Sequence, residues 1–254
     1  MLGFSHRRQA YPAAAAGYRV YAVGDIHGRL DLLEDLLAKI YAELQHRPAP
    51  KTLLVFVGDL IDRGPSSAQV IERLRTYSRP GIQPVFLLGN HEEVLLRILA
   101  GDAQLINKWR QFGGAECLQS YGVDPQQLSD VSEAEALAIV RSAIPRSHAE
   151  FLGSFVDSCR LGDYLFVHAG IRPGIAVEQQ SQADIRWIRE PFLLDDSDHG
   201  FVVVHGHTIC EQVEERPNRI GIDTGAYRTN VLTALALEGT ERWLIDTRVA
   251  VSDN

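Results

Sequence analysis

Apolar residues dominate positions 18–23, a short β-rich run that stops at Gly24, and from Leu30 the spacing changes. Leu30, Leu33, Leu36, Leu37 and Ile40 recur at the helical period. The pattern predicts a strand, a loop and a helix. It returns at residues 52–57, a strand followed by the polar loop 58–65 and a helix over about 67–77. A third round places a strand at 85–88, a loop at 89–91 and a helix through Ile98. Three such units predict a parallel or mostly parallel sheet with helices on its faces. They set polar loops at the strand carboxyl ends, the edge where α/β sheets bind ligands.

Residues 115–155 read as helical and as a small inserted cap, with one helix at 133–144 after Ser132 and another after Pro145. From Tyr164 the pattern shortens to strands at 164–168, 201–205, 219–222 and 231–238, separated by turns rich in Gly, Pro and Asn. Residues 179–197 are acidic and loop-like apart from the surroundings of Trp187, and are expected to be a mobile surface element. The charged stretch 211–216 reads as a solvated face.

The length of 254 residues suits one domain, expected over 18–254 after a flexible lead-in at 1–17. That lead-in carries His6, Arg7 and Arg8 and then an alanine stretch too short for a secretory signal. No apolar run approaches the roughly 20 residues that span a bilayer, so no membrane partner is expected. A formal charge of −8 and the lack of basic clusters argue against a nucleic-acid scaffold. Cys117, Cys159 and Cys210 form no CxxC pair, which fits a reducing cytoplasm and three small half-buried hydrophobes.

The loops at the predicted strand ends carry the chemistry. GDIHG at Gly24 to Gly28 offers Asp25 and His27; GDLIDRG at Gly58 to Gly64 offers Asp59, Asp62 and Arg63; GNHE at Gly89 to Glu92 offers Asn90 and His91. HAG adds His168 and GHT adds His207. Taken singly, each has an ordinary reading: a turn-forming Asp-x-His, an Asx turn or helix cap at Asp59 or Asn90, a core histidine at His168. Their joint placement at strand carboxyl ends overturns that reading. Mixed oxygen and nitrogen donors suit manganese, iron or zinc better than magnesium alone, and two such ions form the clamp used in phosphoryl displacement.

In this order GDIHG, GDLIDRG, GNHE, HAG and GHT resemble the phosphoprotein phosphatase family of calcineurin-like metallophosphoesterases, in particular its bacterial and phage branch typified by lambda phosphatase. WIRE at Trp187 to Glu190 and IDTGA at Ile222 to Ala226 extend the likeness. The resemblance implies a four-layer α/β/β/α sandwich and two metal ions, manganese first and iron or zinc as alternatives. Asp25, His27 and Asp59 would hold the first metal, with Asp59 bridging, and Asn90, His168 and His207 would complete the second. His91 would be the general acid, held by Asp62, and Arg63 and Arg189 would bind the substrate phosphate. The implied reaction is hydrolysis of a phosphate monoester, foremost on serine or threonine of a phosphoprotein, by direct attack of a metal-bridging water or hydroxide. No plausible Cys-x5-Arg phosphatase loop lies around Cys117, Cys159 or Cys210, in agreement with a route that needs no covalent phosphoenzyme.

Two departures stand out. Leu88 occupies the position before GNHE where relatives usually carry a basic residue, so one phosphate contact is missing or comes from elsewhere. His205 would share a strand face with His207 and competes as a ligand; the motif position favours His207 and leaves His205 as support or core. Trp109, Arg110, Gly113, Gly114 and Tyr227 either wall the pocket or pack. The rival activities are a symmetrical bis(5′-nucleosyl)-tetraphosphatase, in which the second loop commonly lacks the second aspartate, and a small-molecule phosphomonoesterase. A catalytically silent phosphoprotein-docking module should have lost ligands, and none is lost here.

Overall fold

The structure is a computed structural model that describes residues 11–49 and 51–248. The chain runs β1 (Tyr18–Val23), α1 (Leu30–His46), β2 (Lys51–Phe56), α2 (Ser67–Arg75), β3 (Ile82–Phe86), α3 (Asn90–Ala100), α4 (Leu105–Trp109), α5 (Ala115–Ser120), α6 (Glu133–Ala143) and α7 (Arg146–Leu152). It continues with β4 (Ser158–Leu161), β5 (Tyr164–Val167), α8 (Gln182–Trp187), β6 (Val202–His205), β7 (Glu214–Glu215), β8 (Arg219–Gly221), α9 (Ala226–Thr229), β9 (Thr233–Glu238) and β10 (Glu241–Asp246). Two five-stranded sheets result, ordered β10-β9-β1-β2-β3 and β4-β5-β6-β8-β7. In each, three strands are parallel neighbours, β1 with β2 and β3, and β5 with β6 and β8, and antiparallel strands extend the sheet.

The strand residues alternate between two cores, as their period of two requires. Val20, Ala22, Val55 and Val57 meet Phe166, Val204, Ile220 and Ile222 between the sheets. Tyr21, Val23, Leu54 and Phe56 face the other way, onto Leu33, Leu36, Leu37 and Ile40 of α1 and Val70, Ile71 and Leu74 of α2. A third cluster, Val167, Val203, Ile185, Ile188 and Phe192, closes the outer face of the second sheet. The layers are therefore helices, sheet, sheet and a thin helical cover, the expected α/β/β/α sandwich. Helices in the 115–152 segment bring Cys117, Leu118, Val140 and Leu152 into the same core as α1 and α2. Ser132 caps α6 and accepts from Glu135 N–H, while the Glu135 carboxylate takes Ser132 N–H at 2.9 Å.

Several sequence expectations shift. β3 begins at Ile82 and carries Pro84 because it is an edge strand, where a missing donor is tolerated. β4, β7 and β10 are too short or too polar to register as apolar runs. Residues 179–197 are no loose loop: α8 lies there, Phe192 is fully buried, and Arg172 pairs with Asp184 at 2.6 Å. Within the stretch read as a solvated face, Glu214 pairs with buried Arg219 at 2.7 Å. Residues 1–10 of the lead-in lie outside the described residues; further along, Ala14 is buried and its N–H donates to Gly239 O at 2.8 Å.

Candidate metal centre and active site

Because the parallel strands of each sheet point the same way, their carboxyl ends share an edge, and the edges of the two sheets meet. The loops after β1, β2 and β3 bring Asp25, His27, Asp59, Asp62, Arg63, Asn90 and His91; the ends of β5 and β6 bring His168 and His207. All of these except Arg63 are buried. His27, Asp59 and His91 offer donor atoms within 4.8 Å of one another, as do Asp59, His168 and His207, so Asp59 belongs to both groups. The backbone is strained where this happens. His27, Asp59, Asp62, Arg63 and His207 all adopt positive φ, between 45° and 72°, a conformation that non-glycine residues keep only when the surroundings impose it.

Two glycines show how close the approach is. A Cβ on Gly206 would lie 2.0 Å from Asp25 Oδ1, and one on Gly89 would lie 2.2 Å from Asp59 Oδ1. Glu92, the last residue of GNHE, is fully buried and accepts from the N–H groups of Asp59, Leu60 and Gly89 at 2.8–3.0 Å. It therefore braces the second loop against the third, a role that the motif did not disclose.

Hydrogen bonds orient the imidazoles. His27 gives Nδ1–H to Ile61 O and His168 gives Nδ1–H to Val57 O, both at 2.8 Å, which leaves each Nε2 for the site. The side-chain oxygen of Asn90 lies 3.0 Å from His168 Nε2 and 2.9 Å from His207 Nδ1. Asp25 Oδ2 accepts His207 N–H at 3.0 Å. His91 Nδ1 lies 2.6 Å from Asp62 Oδ2, which also accepts the indole N–H of Trp109 at 2.9 Å. Arg63 reaches His27 Nε2 at 2.9 Å and His91 Nε2 at 3.1 Å and stacks its guanidinium 4.8 Å from the Tyr227 ring.

Burial governs the electrostatics. It drives the Asp25 carboxyl well above the usual range, with Asp223 and Asp59 adding repulsion. Burial and Asp59 raise Glu92 to about 7; burial, with Asp59 contributing, raises Asp223 to about 6. Asp59 stands apart: burial opposes its charge, but His168, His91 and His27 outweigh burial and hold it well below the usual value. Burial, then the His168 ring and the Arg189 guanidinium, push His207 down to about 3. His91 moves up, because Asp59 and Asp62 overcome its burial.

These residues fit metal ions. Asp25 Oδ1 and Asp223 Oδ2 are buried without hydrogen-bond partners, and Asp25, Asp59 and Asp223 repel one another, so added positive charge would satisfy a crowd of buried carboxylates. The donor set is oxygen and nitrogen, as first-row transition metals prefer.

The calcineurin-like phosphoesterase profile matches residues 18–229, an interval that holds every one of these side chains. The chain belongs to the calcineurin-like phosphoesterase family. It is 28% identical over 227 residues to serine/threonine-protein phosphatase 1 of Salmonella typhimurium, covering 86% of this chain and 92% of that protein. It is 29% identical over 197 residues to a symmetrical bis(5′-nucleosyl)-tetraphosphatase of Janthinobacterium, covering 71% of this chain but only 60% of the tetraphosphatase. Among solved structures, a candidate diadenosine tetraphosphatase superposes with a TM-score of 0.64 at 22% identity, over 93% of this chain and 98% of that one, which supports the fold. Members of this metallophosphoesterase family depend on a binuclear metal centre, in keeping with the two donor groups that share Asp59.

Other sequence expectations settle here. His205 lies on the opposite face from the metal groups: β6 ends at His205, Gly206 turns the chain, and His207 takes φ 64°. The rule that alternate residues share a face stops with the strand. The His205 ring packs edge-on to Phe192 at 5.1 Å. Leu88 is buried with its N–H on Val156 O, so it presents no cation. Trp109 and Tyr227 both border the site rather than only packing; Tyr227 meets His27 edge-on at 5.4 Å. Arg189 is exposed, and its charge is felt at His207. Among the described residues no helix is long and apolar enough to cross a membrane.

Proposed function

We propose that this chain hydrolyses phosphate monoesters and that its substrates are phosphoserine or phosphothreonine side chains of proteins. The observation that carries the reading is the 2.6 Å contact between Asp62 and His91 Nδ1. A carboxylate there orients the imidazole and favours its protonated form, the requirement for a general acid facing an alkoxide leaving group, which is a far poorer leaving group than a nucleotide phosphate. The likeness to the Salmonella phosphatase over 92% of its length supports the same choice.

Asp25, His27 and Asp59 would hold one ion and Asn90, His168 and His207 the other, with Asp59 shared. When bound, such a pair supplies Lewis acidity toward the phosphoryl oxygens and a lowered pKa for the attacking water; manganese, iron and zinc suit the donors. Arg63 and Arg189 bind the phosphoryl oxygens through guanidinium N–H groups. His91 Nε2 donates its proton to the leaving oxygen as the P–O bond breaks, so the alcohol departs neutral. Asp62 keeps the ring in place and stabilises its charge.

A second reading, a symmetrical bis(5′-nucleosyl)-tetraphosphatase, is favoured by the Janthinobacterium relative. One panel separates them: manganese-reloaded protein is assayed for kcat/KM on a phosphoserine/phosphothreonine peptide, a phosphotyrosine peptide, a nucleoside monophosphate and diadenosine tetraphosphate. Preference for the phosphoserine/phosphothreonine peptide, abolished by chelation, is expected. Preference for the dinucleotide would replace the proposal with the second reading.

A further inference from the structure

Asp62 and Arg63 are consecutive residues in left-handed conformation, at φ 72° and 67°, and the loop that carries them has to be held. Ser67 at the start of α2 accepts Asp62 N–H at 2.9 Å. Beyond the Glu92 brace, a further restraint comes from Trp109 and the widened turn Arg110–Gly114 that follows it. Gly113 O accepts Arg63 N–H at 3.0 Å, and a Cβ on Gly113 would lie 2.6 Å from Arg63 N. The Trp109 ring is 3% exposed and lies against Gly114 so closely that a Cβ there would come within 2.3 Å of it. Its Nε1–H reaches Asp62 Oδ2, the oxygen that also faces His91 Nδ1. Asp62 Oδ1 is buried without a hydrogen-bond partner, with the buried Cys117 thiol beside the carboxylate, so the hydrogen bonds that orient this carboxylate are those to the indole and to His91.

We infer that Trp109 is a positioning residue for leaving-group protonation: its indole N–H fixes the Asp62 carboxylate, and through it the His91 ring, with Nε2 directed at the leaving oxygen. A tryptophan needed only for packing would use its ring and leave N–H free or turned to a backbone carbonyl. Here the N–H is spent on the one carboxylate that orients His91. The inference rests on the general-acid reading of His91.

The test is a leaving-group series, phenyl phosphate through 2,4-dinitrophenyl phosphate, on metal-loaded wild type and Trp109→Phe, with the metal content of both measured. Phe keeps an aromatic ring and removes the donor. Expected is a roughly tenfold fall in kcat on phenyl phosphate, little change on the dinitrophenyl ester, which needs no proton, and an unchanged KM. In an Asp62→Asn background the same substitution should add nothing, since both act through one carboxylate. Should Trp109→Phe fail to fold, Gly114→Ala displaces the indole instead and should show the same leaving-group-dependent loss. An equal loss across the series, or none, overturns the inference while leaving the general acid intact. A His91→Asn variant whose loss is equal across the whole series would overturn the general-acid reading, and this inference with it.

Discussion

His91 stands between two carboxylates, Asp62 at 2.6 Å and Asp59 at 3.9 Å, and this determines what substitutions around it should do. His91→Asn should lower turnover by roughly 10²–10⁴-fold with metal content preserved, because only proton donation is lost; turnover and metal analysis on one preparation decide it, and equal loss of metal would make His91 a ligand. Asp59→Asn should do the reverse, emptying or scrambling the site, since Asp59 belongs to both donor groups. An active, fully loaded variant would remove its bridging role. His205 gives a separate signature, in stability. Burial lowers its pKa from 6.5 to about 4. The folded-state pKa lies below the unfolded one, so the unfolded chain takes up the proton first. Stability from this group is therefore complete above pH 6.5, falls as pH drops toward 4 and levels below, a loss of up to about 3 kcal/mol. In urea denaturation of the chelated proteins, the stability difference between wild type and His205→Gln should fall by that amount across the window; the difference is the readout because buried Glu92 and Asp223, with raised pKa values, shift the wild-type profile the opposite way.

At the scale of elements, the site is made by strand ends that stop at glycine, and the glycines are as necessary as the ligands. Gly206 lets the chain leave β6 beside Asp25, where a methyl group would lie 2.0 Å from the carboxylate oxygen. Gly206→Ala should weaken metal binding by roughly 10–100-fold, as loss of a ligand's supporting contacts does, while circular dichroism remains that of the wild type. Undiminished metal affinity would mean that the loop shifts without moving Asp25. The strand-loop-helix units were legible because Leu33, Leu36, Leu37 and Ile40 repeat at helical spacing and each following loop begins at glycine. β10 was not, since Glu241, Arg242 and Asp246 interrupt Trp243, Leu244 and Ile245 at a sheet edge that is only partly covered. The cover formed by α8 and Phe192 was read as a mobile loop because three sparse apolar residues, Ile185, Ile188 and Phe192, carry its burial amid acidic neighbours.

For the whole molecule, the metal groups join the two sheets: Asp25, His27, Asp59, Asn90 and His91 come from the first, His168 and His207 from the second. Ions bound there stabilise the folded chain by mass action, about 2.7 kcal/mol for a site at a hundredfold excess over its Kd. Chelation should therefore lower Tm, and manganese should restore it in a concentration-dependent way. Hydrogen exchange should rise first in the loops at the shared edge; a uniform rise would mean that the metals stabilise the fold as a whole rather than this seam.

The sequence by itself determined the types of the candidate metal donors, their order and their placement at strand carboxyl ends, because strand period and glycine turns are local and set where each side chain leaves the backbone. It also carried the Asp62 and His91 pair by resemblance. Tertiary structure alone decided which histidine of His205 and His207 faces the metal groups, what Glu92 braces, and that the indole of Trp109 reaches Asp62. Those outcomes depend on residues 33 to 182 positions apart approaching within hydrogen-bond distance, as the Glu92 carboxylate with Asp59 N–H, the Trp109 indole with Asp62, and Asp25 with His207 N–H show. No local period encodes a contact of that kind; it follows from packing two twisted sheets edge to edge and sealing both with helices.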